Sequence, residues 1–152
     1  MRILSSHGDW VGYRAASVRL DAAPGILLPA DYPLPPGGLN IRWPDTPLQQ
    51  EQRLHEQKLP AVRAFCRANR LDRALWRPGN ARVGVVTTGK SYLDVRQALG
   101  DLDLDRDPVG VALYKVAVPW PLEPEGLREF ARGLELVIVV EEKRGLMETQ
   151  VK

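Results

Sequence analysis

Apolar and polar positions in the second half of the chain predict three strands with helices between them. Residues 82–98 combine a run of β-branched side chains, a glycine turn at Gly89 and apolar positions at helical spacing, which predicts a strand, a turn and a helix start. Residues 109–118 and 136–140 are the next strand-like runs, and the segment between them has the spacing of a second helix. Strands that alternate with helices pair in parallel through right-handed crossovers. We therefore expect a doubly wound, mostly parallel three-layer α/β sheet over residues 82–152.

The first half of the chain predicts a long arm followed by a helix. Residues 29–47 are rich in proline and glycine but also carry large apolar side chains, so we expect an ordered extended segment that packs along a surface or across a subunit contact. Residues 47–69 have helical spacing that Pro60 should kink or split, and residues 71–81 are expected to be a connection. The predicted organisation is an arm and linker over residues 1–47, a helix and connector over 48–81 and the α/β domain over 82–152.

Charge and composition narrow the classes of function. The 152 residues include 21 lysines and arginines against 19 aspartates and glutamates, a balance that argues against nucleic acid or an anionic membrane as the main partner. No apolar run reaches the length of a membrane span, and the first residues lack the apolar core of a secretory signal, so we expect a cytoplasmic protein. The single cysteine, Cys66, excludes an intramolecular disulfide and a self-contained iron–sulfur cluster, and its helical context predicts a small buried side chain.

One short string matches a nucleotide-binding motif. From Gly84 to Ser91 the residues GVVTTGKS satisfy the GxxxxGK[ST] pattern of a phosphate-binding loop (P-loop). Such a loop begins after an apolar strand has ended, whereas residues 78–83 have the composition of a loop and a strand start. The context favours placing Gly84 inside the strand and making Gly89 the turn, with a small P-loop nucleotide-binding protein as the alternative.

The residues Thr88, Gly89, Lys90 and Ser91 are the best candidate for binding a small ligand. They are predicted to join the end of a strand to the N-terminus of a helix, where backbone N–H groups favour an anion such as a phosphate or coenzyme A. The same residue types also suit helix capping without any ligand. From the sequence, both interpretations stay open.

No residue is predicted to be catalytic or to bind a metal. The sequence contains no HExxH or CxxC motif, and His7 and His55 lie in polar contexts typical of solvated histidines. The acidic stretch 101–108 lacks the central glycine and the closing glutamate of a calcium-binding loop. Glu141 and Glu142 directly follow the last predicted strand and are interpreted as caps of the next helix.

Four stretches resemble the large fused bacterial indolepyruvate ferredoxin oxidoreductases. They are ILLPADYPLPPGGLNIRWPDTPLQQE, VVTTGKSYLDVRQAL, LYKVAVPWPLEPEGLREFARGLE and VIVVEEKRGLMETQVK, and the resemblance covers residues 15–152. These enzymes belong to the thiamine-diphosphate-dependent 2-oxoacid:ferredoxin oxidoreductases. The resemblance implies a fragment, truncated at its C-terminus, that is similar to the transketolase C-terminal-like domain between the two thiamine-diphosphate-binding regions.

The resemblance also implies the chemistry of a parent enzyme. Enzymes of this family use thiamine diphosphate and Mg²⁺ to decarboxylate arylpyruvates such as indolepyruvate, pass the acyl group to coenzyme A and send electrons through 4Fe-4S clusters to ferredoxin. This chain lacks the GDG-type diphosphate motif and the cluster cysteines. What is implied is therefore a non-catalytic structural and interface domain, inactive alone and without a cofactor of its own. The implied partners of this domain are the other domains of the enzyme. Ferredoxin is the implied partner of the parent enzyme, and the formation of a homodimer is also left open.

Overall fold

The structure is a computed structural model that describes residues 28–40, 42–104 and 110–152. Most of the predicted arm, residues 1–27 with His7, lies outside the described residues, as do residues 105–109, which include the end of the acidic stretch. The described end of the arm is held against the helix that follows it, because Arg53 donates hydrogen bonds to the carbonyls of Gly38 and Asn40, each at 3.2 Å.

The first helical stretch is interrupted by one wider turn. It consists of α1 (Pro47–Arg53), a π-helical segment (Leu54–Lys58) and α2 (Leu59–Ala68). Thr46 caps α1 together with Gln49, whose side chain accepts from the Thr46 N–H at 2.8 Å. Pro60 has no N–H and crowds the carbonyl four residues before it, which disfavours a regular α-turn there. The helical backbone continues through Pro60, so the helix is not split there, but its regular α-turns are interrupted by the π-helical segment that precedes the proline.

A short edge strand, β1 (Arg73–Trp76), lies where the sequence predicted only a connection. It pairs antiparallel with a strand 35 to 45 residues later in the chain, with Arg73 opposite Lys115 and Ala74 opposite Tyr114. The prediction for residues 71–81 is thus wrong for this segment. Three of the four residues are exposed, so no alternation of buried and exposed positions marks the strand in the sequence.

The α/β layer follows the predicted order of strands and helices. Its further elements are β2 (Val83–Thr88), α3 (Ser91–Asp101), β3 (Val111–Val116), α4 (Pro124–Ala131), β4 (Leu136–Val140) and α5 (Glu148–Val151). The sheet has the order β1-β3-β2-β4, and β2 pairs in parallel with both β3 and β4. A mostly parallel sheet is confirmed, with four strands because β1 adds an antiparallel edge.

Different helices cover the two faces of the sheet. Val86 and Tyr114 are register partners on one face, and they form a buried core with Leu127 and Phe130 of α4. The rings of Tyr114 and Phe130 lie 4.9 Å apart. Alternate positions of the strands point to the other face, and α3 contacts β2 and β4. The doubly wound, three-layer arrangement is therefore confirmed.

Gly84 allows α4 to lie close to the central strand. A Cβ atom at this position would be 2.5 Å from Cδ1 of Leu134 and 2.9 Å from Cε1 of Phe130. Because real Cβ atoms do not approach other atoms so closely, any side chain here would push α4 and the segment after it away from the sheet. The glycine is thus required for packing within the strand.

Candidate functional site

The string from Gly84 to Ser91 does not form a phosphate-binding loop. Its residues from Gly84 to Thr88 belong to β2, which is paired with β3 on one side and with β4 on the other. The backbone of residues 84–88, which would be loop in a P-loop, is therefore engaged in the sheet ladder. The placement of Gly84 within the strand is confirmed, and Gly89 is the turn, with a φ of 52° and open space around it.

The residues Thr88, Gly89, Lys90 and Ser91 meet at the start of α3, as predicted, but their side chains have internal partners. The Thr88 hydroxyl donates to the carbonyl of Val116 at 2.8 Å. Ser91 is buried, with 5% of its surface exposed. None of these contacts caps α3, which begins without a side-chain cap hydrogen bond, so the capping interpretation is wrong for this turn. Anion binding at this turn stays a prediction.

Two carboxylates lie around Lys90. Its Nζ atom is 2.7 Å from Oδ2 of Asp94 and 3.7 Å from Oε1 of Glu142. The hydrogen bond to Asp94 raises the pKa of the Lys90 ammonium. The negative charges of Asp94 and Glu142 oppose the approach of an anion, so this turn is a poorer anion site than the sequence indicates.

Glu141 has the capping role that its position after β4 predicts. Its two carboxylate oxygens accept from the N–H groups of Met147 and Glu148, at 2.9 and 3.1 Å. These are the first N–H groups of the short helix α5, which have no partner within the helix. The carboxylate thus connects the end of β4 to the start of α5.

The structure contains a large concave feature that the sequence did not indicate. It is a groove of about 930 Å³ between the end of α2, β1 and α4, and Tyr114 of β3 lies on its floor. We call it the arginine groove; its charged residues are Arg67, Arg70, Asp72, Arg73, Arg77, Glu123 and Glu129. Because these charged residues come from two segments that are separated in the sequence, residues 67–77 and 123–129, no local motif marks the site.

Arg67 is the arginine of the groove that is neutralised by carboxylates. It lies 2.5 Å from Oε1 of Glu129 and 3.6 Å from Oε2 of Glu123. Glu123 is almost fully buried and caps α4, since its carboxylate accepts from the N–H groups of Glu125 and Gly126, each at 2.8 Å. The Arg67–Glu123 contact therefore joins the end of α2 to the start of α4.

Arg77 supports the other end of α4. Its Nε atom donates to the carbonyl of Phe130 at 3.1 Å, and its guanidinium also donates to the carbonyl of Arg132. Carbonyls at a helix C-terminus lack partners within the helix and carry partial negative charge, which a guanidinium complements. Arg77 thus has a structural role at the rim of the groove.

Arg70 ends α2 in a backbone conformation that arginine rarely adopts. Its φ is 48°, and the N–H of Leu71 donates to the carbonyl of Cys66 at 3.1 Å while the N–H of Arg70 donates to that of Arg67. This is the Schellman arrangement, in which the left-handed position is usually glycine. Arg73 reaches back to the same turn, where its Nε donates to the carbonyl of Arg70 at 3.3 Å.

Burial changes the titration of several groups in the groove. Oδ1 of Asp72 accepts from the N–H of Ala117 at 2.7 Å, but desolvation outweighs this bond and raises the pKa of the carboxyl. The other oxygen, Oδ2, is buried without a hydrogen-bond partner. Desolvation also raises the pKa of Tyr114 and of the Cys66 thiol, and Cys66 is buried as predicted. The N–H of Val118 also lowers the pKa of Asp72, although no partner lies within hydrogen-bond distance of Oδ2.

The substitution Asp72→Asn should stabilise the protein at neutral pH relative to the wild type. The folded-state pKa of Asp72 lies above its unfolded value, so the folded protein binds more protons and the wild type loses stability as pH rises from about 3.9 through the folded-state pKa. Asparagine keeps an acceptor for Ala117 and has no charge to desolvate. Thermal unfolding measured at several pH values should show the two proteins converging at acidic pH. A variant whose stability falls relative to that of the wild type as pH rises would contradict this sign.

Among the described residues, neither a metal centre nor a membrane helix is found. No group of three or more His, Cys, Asp or Glu side chains within this part of the chain could hold a metal ion. None of the helices in the same part is long and apolar enough to cross a membrane. His55 lies on the exposed side of the π-helical segment, 3.0 Å from Glu51, as expected for a solvated histidine.

Comparison with protein families places the chain in the class of oxidoreductase domains. Residues 73–152, more than half of the chain, match the family described as the indolepyruvate oxidoreductase domain. The chain belongs to this family, and the resemblance found in the sequence is confirmed. The matched region begins at β1 and includes the whole sheet.

Curated relatives are much longer than this chain. It is 39% identical over 75 residues to the indolepyruvate oxidoreductase subunit IorA of Pyrococcus horikoshii, and equally identical over the same length to that of Pyrococcus abyssi. Each alignment covers 49% of this chain and 11% of the relative. Among solved structures, a 2-oxoglutarate:ferredoxin oxidoreductase from Magnetococcus marinus is similar with a TM-score of 0.45 and 21% identity, over 68% of this chain and 18% of that one.

Proposed function

We propose that this chain is a non-catalytic structural and interface domain of a thiamine-diphosphate-dependent 2-oxoacid:ferredoxin oxidoreductase that acts on arylpyruvates. The observation that carries the proposal is the family match over residues 73–152, together with relatives named as subunits of indolepyruvate oxidoreductase of which the chain spans 11%. A matched region of this size has the length of one domain of a larger enzyme. The other domains of that enzyme are the partners of this chain, and ferredoxin is the electron acceptor of the whole enzyme.

The residues of this chain do not fit the cofactors of such an enzyme. Iron–sulfur clusters take several cysteine ligands, and the chain has one cysteine, which is buried. The sequence has no GDG-type motif for the diphosphate and Mg²⁺ of thiamine diphosphate. The reaction steps that involve thiamine diphosphate, the clusters and coenzyme A are therefore assigned to other parts of the enzyme.

Exposed apolar side chains support a role in contacts between domains. Trp43 and Leu48, at the end of the arm and the start of α1, are 89% and 80% exposed, and Leu34 of the arm is 57% exposed. At the sheet edge formed by β4, Leu136 and Ile138 are 52% and 43% exposed. Apolar groups exposed at this density favour burial against a partner, and a strand edge with no charged residues favours further pairing.

The chain alone should not decarboxylate an arylpyruvate. Incubation with indolepyruvate, thiamine diphosphate, Mg²⁺, coenzyme A and an electron acceptor should release no CO₂ above that of a reaction without protein. The physical reason is that the groups that would hold the cofactors are absent from the sequence. Release of CO₂ in proportion to the concentration of the chain would contradict a non-catalytic role.

The interface role has its own measurement. Oxidative footprinting read by mass spectrometry should label Trp43 strongly in the isolated chain and weakly in the assembled parent enzyme, with buried Tyr114 as the internal reference. Equal labelling of Trp43 in both states would show that the arm does not contact a partner. The labelling of Trp43 tests the interface role independently of whether CO₂ is released in the assay with indolepyruvate.

A further inference from the structure

We propose that the arginine groove binds a small phosphate-bearing ligand that also carries hydrogen-bond donors. Arg70 and Arg73 hold the phosphate, and Asp72 accepts a hydrogen bond from a hydroxyl or amino group of the same ligand. The site lies between the end of α2 and β1, away from the turn at Gly89. It stands on the geometry of the groove and does not depend on the reaction of a parent enzyme.

Two guanidinium groups in the groove have no carboxylate partner. Within the described ranges, the ion pairs of the groove neutralise Arg67, and Arg77 is engaged with carbonyls at the end of α4. Arg73 donates to the carbonyl of Arg70, which brings the two side chains to the same turn. Guanidinium groups bind phosphate through paired, charge-assisted hydrogen bonds, so an unpaired couple of them favours such an anion.

The local structure is unfavourable to an arginine at position 70. Arg70 occupies a left-handed position, with a φ of 48°, where glycine would be more stable. Packing does not explain the choice, since Arg70 is exposed, as is Arg73. A bound anion would use the guanidinium that this turn presents.

Asp72 provides the second element of recognition. It lies between the two arginines in the sequence, and its Oδ2 atom is buried without a partner while Oδ1 is bonded to Ala117. A buried acceptor without a partner is costly, and a donor on a ligand would satisfy it. A ligand with phosphate groups and hydroxyl or amino groups, as in nucleotides, meets both requirements.

The size of the groove favours a small molecule over a single ion. Its volume of about 930 Å³ lies within the range of sites that enclose a nucleotide-sized ligand, whereas one phosphate would leave most of it empty. The carboxylates Glu123 and Glu129, which also line it, would repel a long acidic segment of a protein along most of its length. These features favour a ligand whose negative charge is concentrated at one end.

The test uses ADP as the probe, with the whole chain in isothermal titration calorimetry at one fixed salt concentration. Arg70→Gly removes the guanidinium and relieves the left-handed turn, so the variant should fold at least as well as the wild type and bind ADP about tenfold more weakly. Arg73→Gln should weaken binding to a similar degree. Arg63→Gln, a matched control on an exposed part of α2 outside the groove, should leave the affinity for ADP unchanged.

Two further ligands separate the two elements of recognition. Adenosine, which lacks phosphate, should bind far more weakly than ADP. The wild type should bind pyrophosphate more weakly than ADP. The Asp72→Asn variant should bind the two ligands equally well, because it lacks the free carboxylate oxygen. Circular dichroism of each variant confirms that a loss of binding is not a loss of fold.

Several results would overturn the proposal. One is an affinity for ADP that Arg70→Gly and Arg73→Gln leave at the wild-type value, and another is no binding of ADP or pyrophosphate up to about 10 mM. A loss of binding in Lys90→Ala alone would move the ligand to the turn at Gly89. A short polyglutamate peptide that binds more tightly than ADP, with the same dependence on Arg70, would make the groove a contact for an acidic protein segment instead.

Discussion

Gly84→Val should lower the free energy of unfolding by about 3 kcal/mol, since overpacking a close-packed core forces the backbone or neighbouring side chains to move. The new Cβ would lie 2.5 Å from Leu134 and 2.9 Å from the ring of Phe130. The end of the Leu134 side chain can move, but Phe130 is 3% exposed and packed against Tyr114, so displacing its ring disrupts that contact. Urea denaturation followed by circular dichroism measures the change.

Gly79→Ala is the matched control for this substitution. Gly79 lies in the turn before β2, has no positive φ and has no atom within 4 Å of an added Cβ. Its replacement should change the free energy of unfolding by less than about 0.5 kcal/mol. If Gly84→Val were as stable as the wild type, α4 would not pack against β2 as described. A P-loop glycine would behave differently, because its loss would affect nucleotide binding more than stability.

Glu123→Ala should lower the free energy of unfolding by about 2–3 kcal/mol, because a helix cap is lost and two N–H groups are left without an acceptor in a buried site. The carboxylate is 4% exposed and accepts from Glu125 and Gly126 at the start of α4. Its loss also leaves Arg67 with one carboxylate partner, Glu129. Urea denaturation again gives the change in stability.

Two variants separate the contributions of the cap and of the ion pair. Glu123→Gln keeps one acceptor oxygen for the helix start and should lose about 1 kcal/mol. Glu129→Ala removes the exposed partner of Arg67 and should cost less than about 1 kcal/mol, as is typical of surface ion pairs. Equal losses in Glu123→Ala and Glu129→Ala would show that the ion pair, and not the cap, stabilises this end of α4.

The strands of the parallel sheet were predictable because their signal is local. β4 is a continuous run of five apolar residues, and the predicted bounds match the structure. β2 is recognisable from Val83, Val85 and Val86, although Gly84 within it also completes a nucleotide-binding string. The sequence shows a glycine there, but the reason for it is the distance to Leu134 and Phe130, which lie about 50 residues later in the chain.

Neither β1 nor the arginine groove could be predicted from the sequence, and the physical reason is the same for both: each depends on parts of the chain that are distant in the sequence. β1 is mostly exposed, and pairing with β3, not its own apolar pattern, makes it a strand. Arg70, Asp72 and Arg73 have the composition of an ordinary polar connection. They gain a common environment only when α4 packs over β3 and brings Glu123 and Phe130 to the opposite wall of the groove.

Local information therefore accounts for the α/β class, for the irregular helical turn before Pro60, for the turn at Gly89 and for the caps at Thr46 and Glu141, since each depends on residues within a few positions of one another. The family was also recognisable from short stretches of the sequence. The tertiary structure decided which charges have partners. It pairs Arg67 with Glu129 and Lys90 with Glu142, and among the described residues it leaves Arg70 and Arg73 without a carboxylate. Electrostatic pairing depends on distances across the fold, and the order of residues along the chain does not specify these distances.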